Sequence, residues 1–144
     1  FSCDNIAKYH ELLFDADHET ALQAGWAWTT WEGATSHLLF NDRDVTYESP
    51  EYALAFARIE NHYFVNGGFL TDGQLLANID RISHIPGVIV QGRYDVVCPM
   101  RSAWDLHRAW PAAELRIIDD AGHASFEPGI VDALVVATDG FAAR

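Results

Sequence analysis

Two apolar runs late in the chain are separated by one helix-like stretch, and each leads into a polar loop. Gly87-Val88-Ile89-Val90-Gln91-Gly92 runs into Arg93-Tyr94-Asp95, and Glu114-Leu115-Arg116-Ile117-Ile118 runs into Asp119-Asp120-Ala121-Gly122-His123. The stretch between them, from about Arg101 to Trp110, has helical spacing. A strand, a helix and a second strand make a parallel unit, because parallel neighbours need a long crossover instead of a tight turn. Open parallel sheets place their chemistry just beyond the carboxyl ends of the strands. Asp95 and His123 both fall there. The fold class predicted for this region is α/β.

The rest of the chain reads differently. Asp4 to Phe14 is a short amphipathic stretch, and Asp17 is a predicted N-cap for a helix over Glu19 to Leu39. Gly25 and Gly33 interrupt that helix and mark bends or close packing. Asn41 to Ser49 is polar and turn-like, with Asp42-Arg43-Asp44 as a solvated loop. Ser49-Pro50-Glu51 opens another helix, with Ser as cap and Pro first, and it stops at Gly67-Gly68. A shorter helix is predicted from Thr71 or Asp72 to Ile79 or Arg81. From Pro86 onward the hydrophobic period shortens. The predicted boundary lies near His84: residues 1–84 form a helical module, and residues 85–144 form a closing strand–helix–strand–helix. Two parallel strands do not make a stable sheet alone, and the chain starts at Phe1. A piece of a longer protein is therefore expected.

Composition excludes several functions. The 144 residues carry a formal net charge of −12, the opposite of the basic surface that nucleic acid requires. No apolar run is long enough to span a bilayer as a helix, and no signal peptide is visible. The two cysteines, Cys3 and Cys98, suggest neither a disulfide framework nor a zinc site. The cytoplasm is the expected compartment. His10, His18, His37, His62, His84 and His107 show no metal-ligand spacing, and no metal is expected.

Asp95 alone is an ordinary turn residue, and His123 alone is an ordinary surface histidine near a helix start. On successive ends of one parallel unit they match the acid and base of a nucleophile–His–acid triad. In hydrolases of this topology the chain order is nucleophile, acid, His, which their order fits. The nucleophile is not in the chain: no Gly-x-Ser-x-Gly elbow occurs, and none of the six serines has flanking glycines. Cys98 follows the acid, the wrong order for a nucleophile, and reads as a pocket-wall residue. Glu60 and Phe64 are four apart and share a helix face, where Glu60 is otherwise a solvated charge and Phe64 a core residue. Glu32 lies among Trp26, Trp28 and Trp31, where a carboxylate needs a partner, either a ligand cation or an internal one such as Arg58. The Trp residues are otherwise expected in the core of the helical module.

Gly92-Arg93-Tyr94-Asp95-Val96-Val97-Cys98-Pro99, Asp120-Ala121-Gly122-His123 and Phe126-Glu127-Pro128-Gly129-Ile130 resemble the C-terminal region of proline iminopeptidases. Trp31-Glu32-Gly33-Ala34 and Ala57-Arg58-Ile59-Glu60-Asn61-His62-Tyr63-Phe64 do so as well, so the resemblance covers nearly the whole chain. It implies the last strands and helices of an α/β-hydrolase fold preceded by most of a helical cap. It also implies a cofactor-free serine exopeptidase that removes proline from peptide N-termini. Asp95 would be the triad acid and His123 the base. Glu32 and Glu60 would hold the substrate's amino group, Phe64 would wall the proline-ring pocket, and Cys98 would be a thiol near the site. The serine elbow, the oxyanion-hole segment and the first strands have no counterpart here. After Gly-His this chain has Ala124-Ser125 where the family pattern has Ser then Ala. Two other readings stay open at this point: an esterase or epoxide hydrolase using the same Asp and His, and a non-catalytic module.

Overall fold

A computed structural model describes residues 3–39 and 49–143. The turn expected over 41–49 and its Asp42-Arg43-Asp44 loop therefore lie almost wholly outside the described residues. The helices are α1 (Cys3–Leu13), α2 (His18–Ser36), α3 (Pro50–Val65), α4 (Gln74–Ala77), α5 (Met100–Ala109) and α6 (Pro128–Ala142). The strands are β1 (Gly87–Gly92) and β2 (Ala113–Ile118). The architecture is mixed α/β.

The chain divides into two compact units. One comprises Phe1–Ala34 with Asn41–Asp72, and the other Thr35–Phe40 with Gly73–Arg144. The division falls at 72/73 instead of at the change of hydrophobic period near His84. The reason is that α4 packs against α5, so residues 73–84 join the strands that follow them.

The first unit is helical. The Asp17 carboxylate starts α2 by accepting the Thr20 N–H at 3.3 Å and its hydroxyl at 2.7 Å. Ser49 caps α3, its Oγ accepting the Tyr52 N–H at 3.2 Å, and Pro50 occupies the first turn. The helix stops where Gly67 and Gly68 take positive φ, +58° and +63°. Gly25 marks close packing: a Cβ there would lie 2.6 Å from Leu54 Cα on α3. The core gathers Leu13, Ala21, Ala24, Trp28, Leu54 and Ala57. Trp28 is the one Trp fully inside. Trp26 and Trp31 are 42% and 43% exposed, contrary to the expectation that the tryptophans fill this core. They lie off the face of α2 that carries its buried residues, Ala21, Ala24, Gly25, Trp28 and Thr29.

In the second unit, the helix expected from 71 or 72 to 79 or 81 is broken into α4 and a 3-10 turn, Ile79–Arg81. Gly73 enters α4 with φ +68°, and the Asn78 side chain then donates to the Gln74 carbonyl at 2.8 Å. Such local bonds end a helix early. β1 and β2 pair in parallel, from Gly87 opposite Ala113 to Gly92 opposite Ile118. Trp110 closes the start of the unit. Its indole N–H donates to the Ile85 carbonyl at 2.9 Å, and its ring lies where a Gly87 side chain would stand. Helices α5 and α6 both pack on the strand pair.

Candidate active site

The paired register ends at Gly92 and Ile118, so the two following loops leave the sheet side by side. They come closer than side chains would permit: a Cβ on Gly92 would sit 1.9 Å from the Gly122 carbonyl oxygen. The glycine preceding Arg93-Tyr94-Asp95 is thus a condition for bringing Asp95 to His123, while a Cβ on Gly122 would instead crowd the Leu38 backbone nitrogen at 2.9 Å. The Arg93 N–H donates to Ile118 O at 2.9 Å and the Tyr94 N–H to Ala121 O at 3.0 Å, which continues the strand pairing into the loops.

Asp95 and His123 meet as expected. His123 Nδ1 lies 3.0 Å from Asp95 Oδ2. The Asp95 side chain is 7% exposed and the His123 side chain 38%. An ionised carboxylate only accepts hydrogen bonds, so Nδ1 carries the proton and donates it. In the neutral ring this leaves a lone pair on Nε2, the arrangement of a general base held in one tautomer. Oδ1 of Asp95 accepts the N–H groups of Val97 at 3.0 Å and Cys98 at 2.7 Å. Oδ2 also accepts from Gln91 Nε2 at 3.2 Å. These bonds satisfy a nearly buried charge that would otherwise be costly. Cys98 is exposed, and its backbone is what ties it to Asp95.

The His123 loop is anchored from a different direction. The N–H groups of His123 and Ala124 both donate to the Ser36 carbonyl at 2.8 Å. Glu127 accepts the N–H of Gly122 at 2.8 Å and that of Leu38 at 3.4 Å. Ala124 is buried and Ser125 exposed, so the departure from the family's Ser-Ala order presents the small apolar residue inward. Gln91 and Glu127 were not singled out in the sequence. A Gln inside an otherwise apolar strand was the available signal for Gln91. Glu127 carries no such signal, being by sequence one more surface acid.

In the first unit the expected ligand residues gather about Trp28. Its indole N–H donates to Glu60 Oε2 at 2.9 Å, and its ring centroid is 6.0 Å from that of Phe64. Glu60 is half-buried, and Phe64 is 47% exposed. Glu32 is half-buried on α2, one helical turn past Trp28 and on its face. Arg58 is engaged elsewhere: its Nε donates to Leu13 O at 2.8 Å, and its guanidinium stacks over Phe14. Among the described residues, no three His, Cys, Asp or Glu side chains are grouped to hold a metal ion, and no helix is long and apolar enough to cross a membrane.

No protein-family model matches the chain. Individual relatives do. A proline iminopeptidase of Xanthomonas citri is 59% identical over 141 residues, 96% of this chain and 45% of the relative. One of Xylella fastidiosa is 58% identical with the same coverage. One of Arabidopsis thaliana is 56% identical over 136 residues, 93% of this chain and 36% of the relative. The chain thus spans under half the length of these relatives. Across nearly all of its residues it is a homologue of proline iminopeptidases.

Proposed function

We propose that this chain carries the acid, the base and the amino-group ligands of a proline iminopeptidase. The proposed enzyme is a cytoplasmic serine exopeptidase of the α/β-hydrolase fold, acting on peptides with N-terminal proline. The last strands and helices of its core lie within residues 85–144, with α4 packed on α5, and the helices before α4 are most of its helical cap. The nucleophilic serine and oxyanion hole belong to sequence outside these residues. The observation that carries the reading is the 3.0 Å bond between His123 Nδ1 and Asp95 Oδ2 at adjacent parallel strand ends. The names of the relatives supply the substrate.

In this mechanism His123 Nε2 takes the serine hydroxyl proton as the oxygen attacks the prolyl carbonyl. Asp95 steadies the imidazolium so formed. The same proton passes to the departing amine, the C–N bond breaks, and a prolyl ester remains on the serine. Water, deprotonated by the same nitrogen, then releases free proline. Glu32 and Glu60 receive the substrate's ammonium, and Phe64 receives the pyrrolidine ring. Two carboxylates select a free N-terminus without a metal, because a bound cation relieves their repulsion and gains charge-assisted hydrogen bonds.

The test is release of proline from a prolyl amide by the complete protein. Asp95→Asn and His123→Ala should each cut kcat/KM by about a thousand- to ten-thousandfold. The 144-residue chain alone should show no turnover. A folded complete protein that leaves prolyl amides intact, or one in which Asp95→Asn keeps its rate, would overturn the reading.

A further inference from the structure

Gln91 is the penultimate residue of β1, opposite Ile117 in the pairing, in a strand otherwise made of Gly, Val and Ile. Its Nε2 lies 3.1 Å from Gly92 O, 3.2 Å from Asp95 Oδ2 and 3.1 Å from Cys98 O. All three neighbours are acceptors without a proton to give. Only the NH2 end of the amide can face them. One side chain therefore joins the strand end, the carboxylate and the far side of the Asp95 loop. The two carboxylate oxygens divide the work. Oδ1 takes the Val97 and Cys98 N–H groups, which locate the carboxylate. Oδ2 is shared between Gln91 and His123.

We infer that Gln91 is a positioning residue for the Asp95–His123 pair. Its amide orients Oδ2 toward His123 and takes up part of that oxygen's negative charge. The inference rests on the acid–base reading of the pair. Without the Gln91 donor, Oδ2 leans harder on the imidazole, and the charged ring is favoured. The titratable groups on neighbouring segments include His37, which follows the Ser36 carbonyl that holds the His123 loop, and several charged groups that keep their own partners. Arg93 bonds Asp119 through Nε at 2.7 Å, Arg101 pairs with Asp105 on α5, and Glu127 holds the Gly122 N–H. Asp120 is exposed on the His123 loop.

The test is the NMR titration of the His123 Cε1–H signal in the complete protein, as wild type, Gln91→Leu and Asp95→Asn. Gln91→Leu keeps the approximate volume and removes the donor. It should raise the midpoint by about 0.3–1 pH unit. Asp95→Asn should lower it, because the stabilising charge is gone. An Asp95→Asn midpoint that does not fall would overturn the pairing itself. A fall there, with an unmoved or lowered midpoint in Gln91→Leu, would overturn the role of Gln91 alone. If Gln91→Leu does not fold, Gln91→Asn, an amide one methylene too short, must show the upward shift. In the complete enzyme, the acid limb of kcat/KM should move to higher pH. There kcat should fall about three- to thirtyfold with KM nearly constant. A slower enzyme with an unmoved limb would mean a merely structural contribution and would also overturn the proposal.

Discussion

The two units hold their polar groups in place by different means. The largest fully buried side chains among the described residues are Trp28, Leu13, Asn61 and Thr29, and all four lie in the helical unit. Its polar contacts are built into that interior. Asn61 donates to Ile6 O at 3.0 Å and lies 2.7 Å from His10 Nδ1, while the Thr29 hydroxyl reaches Gly25 O and Ala53 O. The α/β unit buries mostly alanines, with Ile130 the largest of its buried apolar residues. The residues of its strands are half-buried, save Gly92 and Ala113, which are buried, and Glu114 and Ile117, which are exposed. Several apolar side chains on α6, including Val135 and Val136, are exposed. In the first unit the buried Trp28 positions both proposed ligand residues, Glu60 through its indole N–H and Phe64 by ring packing. In the second, a mesh of backbone and side-chain hydrogen bonds positions Asp95 and His123.

Truncating a core side chain should separate the units most strongly. Trp28→Ala should cost about 3–5 kcal/mol, because a large aromatic leaves a cavity. Leu115→Ala, on a half-buried strand position, should cost only about 1–2 kcal/mol. Urea unfolding, with probes in each unit, measures both. If the two substitutions cost the same, the contrast between closed core and open strand pair is wrong.

What could be read from the sequence follows the same division. Asp95 and His123 were legible because parallel strand ends are places where topology decides position, and their flanking glycines announced tight loops. The Ser49-Pro50 start and Gly67-Gly68 stop of α3 were legible because capping is local chemistry. The 71–81 segment was not, because Asn78 and Gly73 compete with the helix by bonds and φ values that periodicity does not register. Trp26 and Trp31 were expected in the core because composition does not say which face of a helix is covered. Gln91 and Glu127 matter through bonds to particular oxygens and N–H groups, and those partners exist only once the two loops meet.

A smaller effect is expected at the carboxylates, and it is chemical instead of structural. In the complete enzyme, Glu60→Gln keeps an acceptor for the Trp28 indole N–H and removes the charge. The variant should fold, yet lose about ten- to a hundredfold in kcat/KM on prolyl amides, the worth of a charge-assisted hydrogen bond or two. An ester without the amino group should lose little. Glu32→Gln should behave alike. Equal losses on amine and ester would mean that Glu60 serves packing only, and would favour an esterase over an aminopeptidase.

Acid should act on the helical unit in a milder and more local way. Thr20, through its hydroxyl and its backbone N–H, holds the Asp17 carboxyl below the ordinary aspartate value. A depressed folded-state value means the stabilisation is present above the unfolded-state value and is lost as pH falls through the lower one. Helix α2 should therefore fray at its start only in strong acid. Asp17→Asn should remove that pH dependence while keeping a capping oxygen. Amide exchange at Thr20 and Ala21 reads the effect. Acid-induced fraying that persists in Asp17→Asn would assign it to another group.

The smallest effect expected is at Cys98, and it sharpens the contrast most directly. If hydrogen bonds position the second unit's site, the backbone of residue 98 matters and its side chain does not. Its N–H donates to Asp95 Oδ1 at 2.7 Å and its carbonyl accepts from Gln91 at 3.1 Å. Cys98→Ala leaves both groups in place, so the complete enzyme should keep its kcat/KM within about twofold. A bulky thiol reagent should still inhibit the wild type by obstruction, since residue 98 is exposed and adjoins the acid, and Cys98→Ala should be resistant. Cys98→Pro removes the N–H, and with it one of the two backbone donors on Oδ1. That variant should lose far more activity than Cys98→Ala. A folded Cys98→Ala enzyme without activity would make the thiol itself a participant. A fully active Cys98→Pro would show that the backbone mesh is not what holds Asp95.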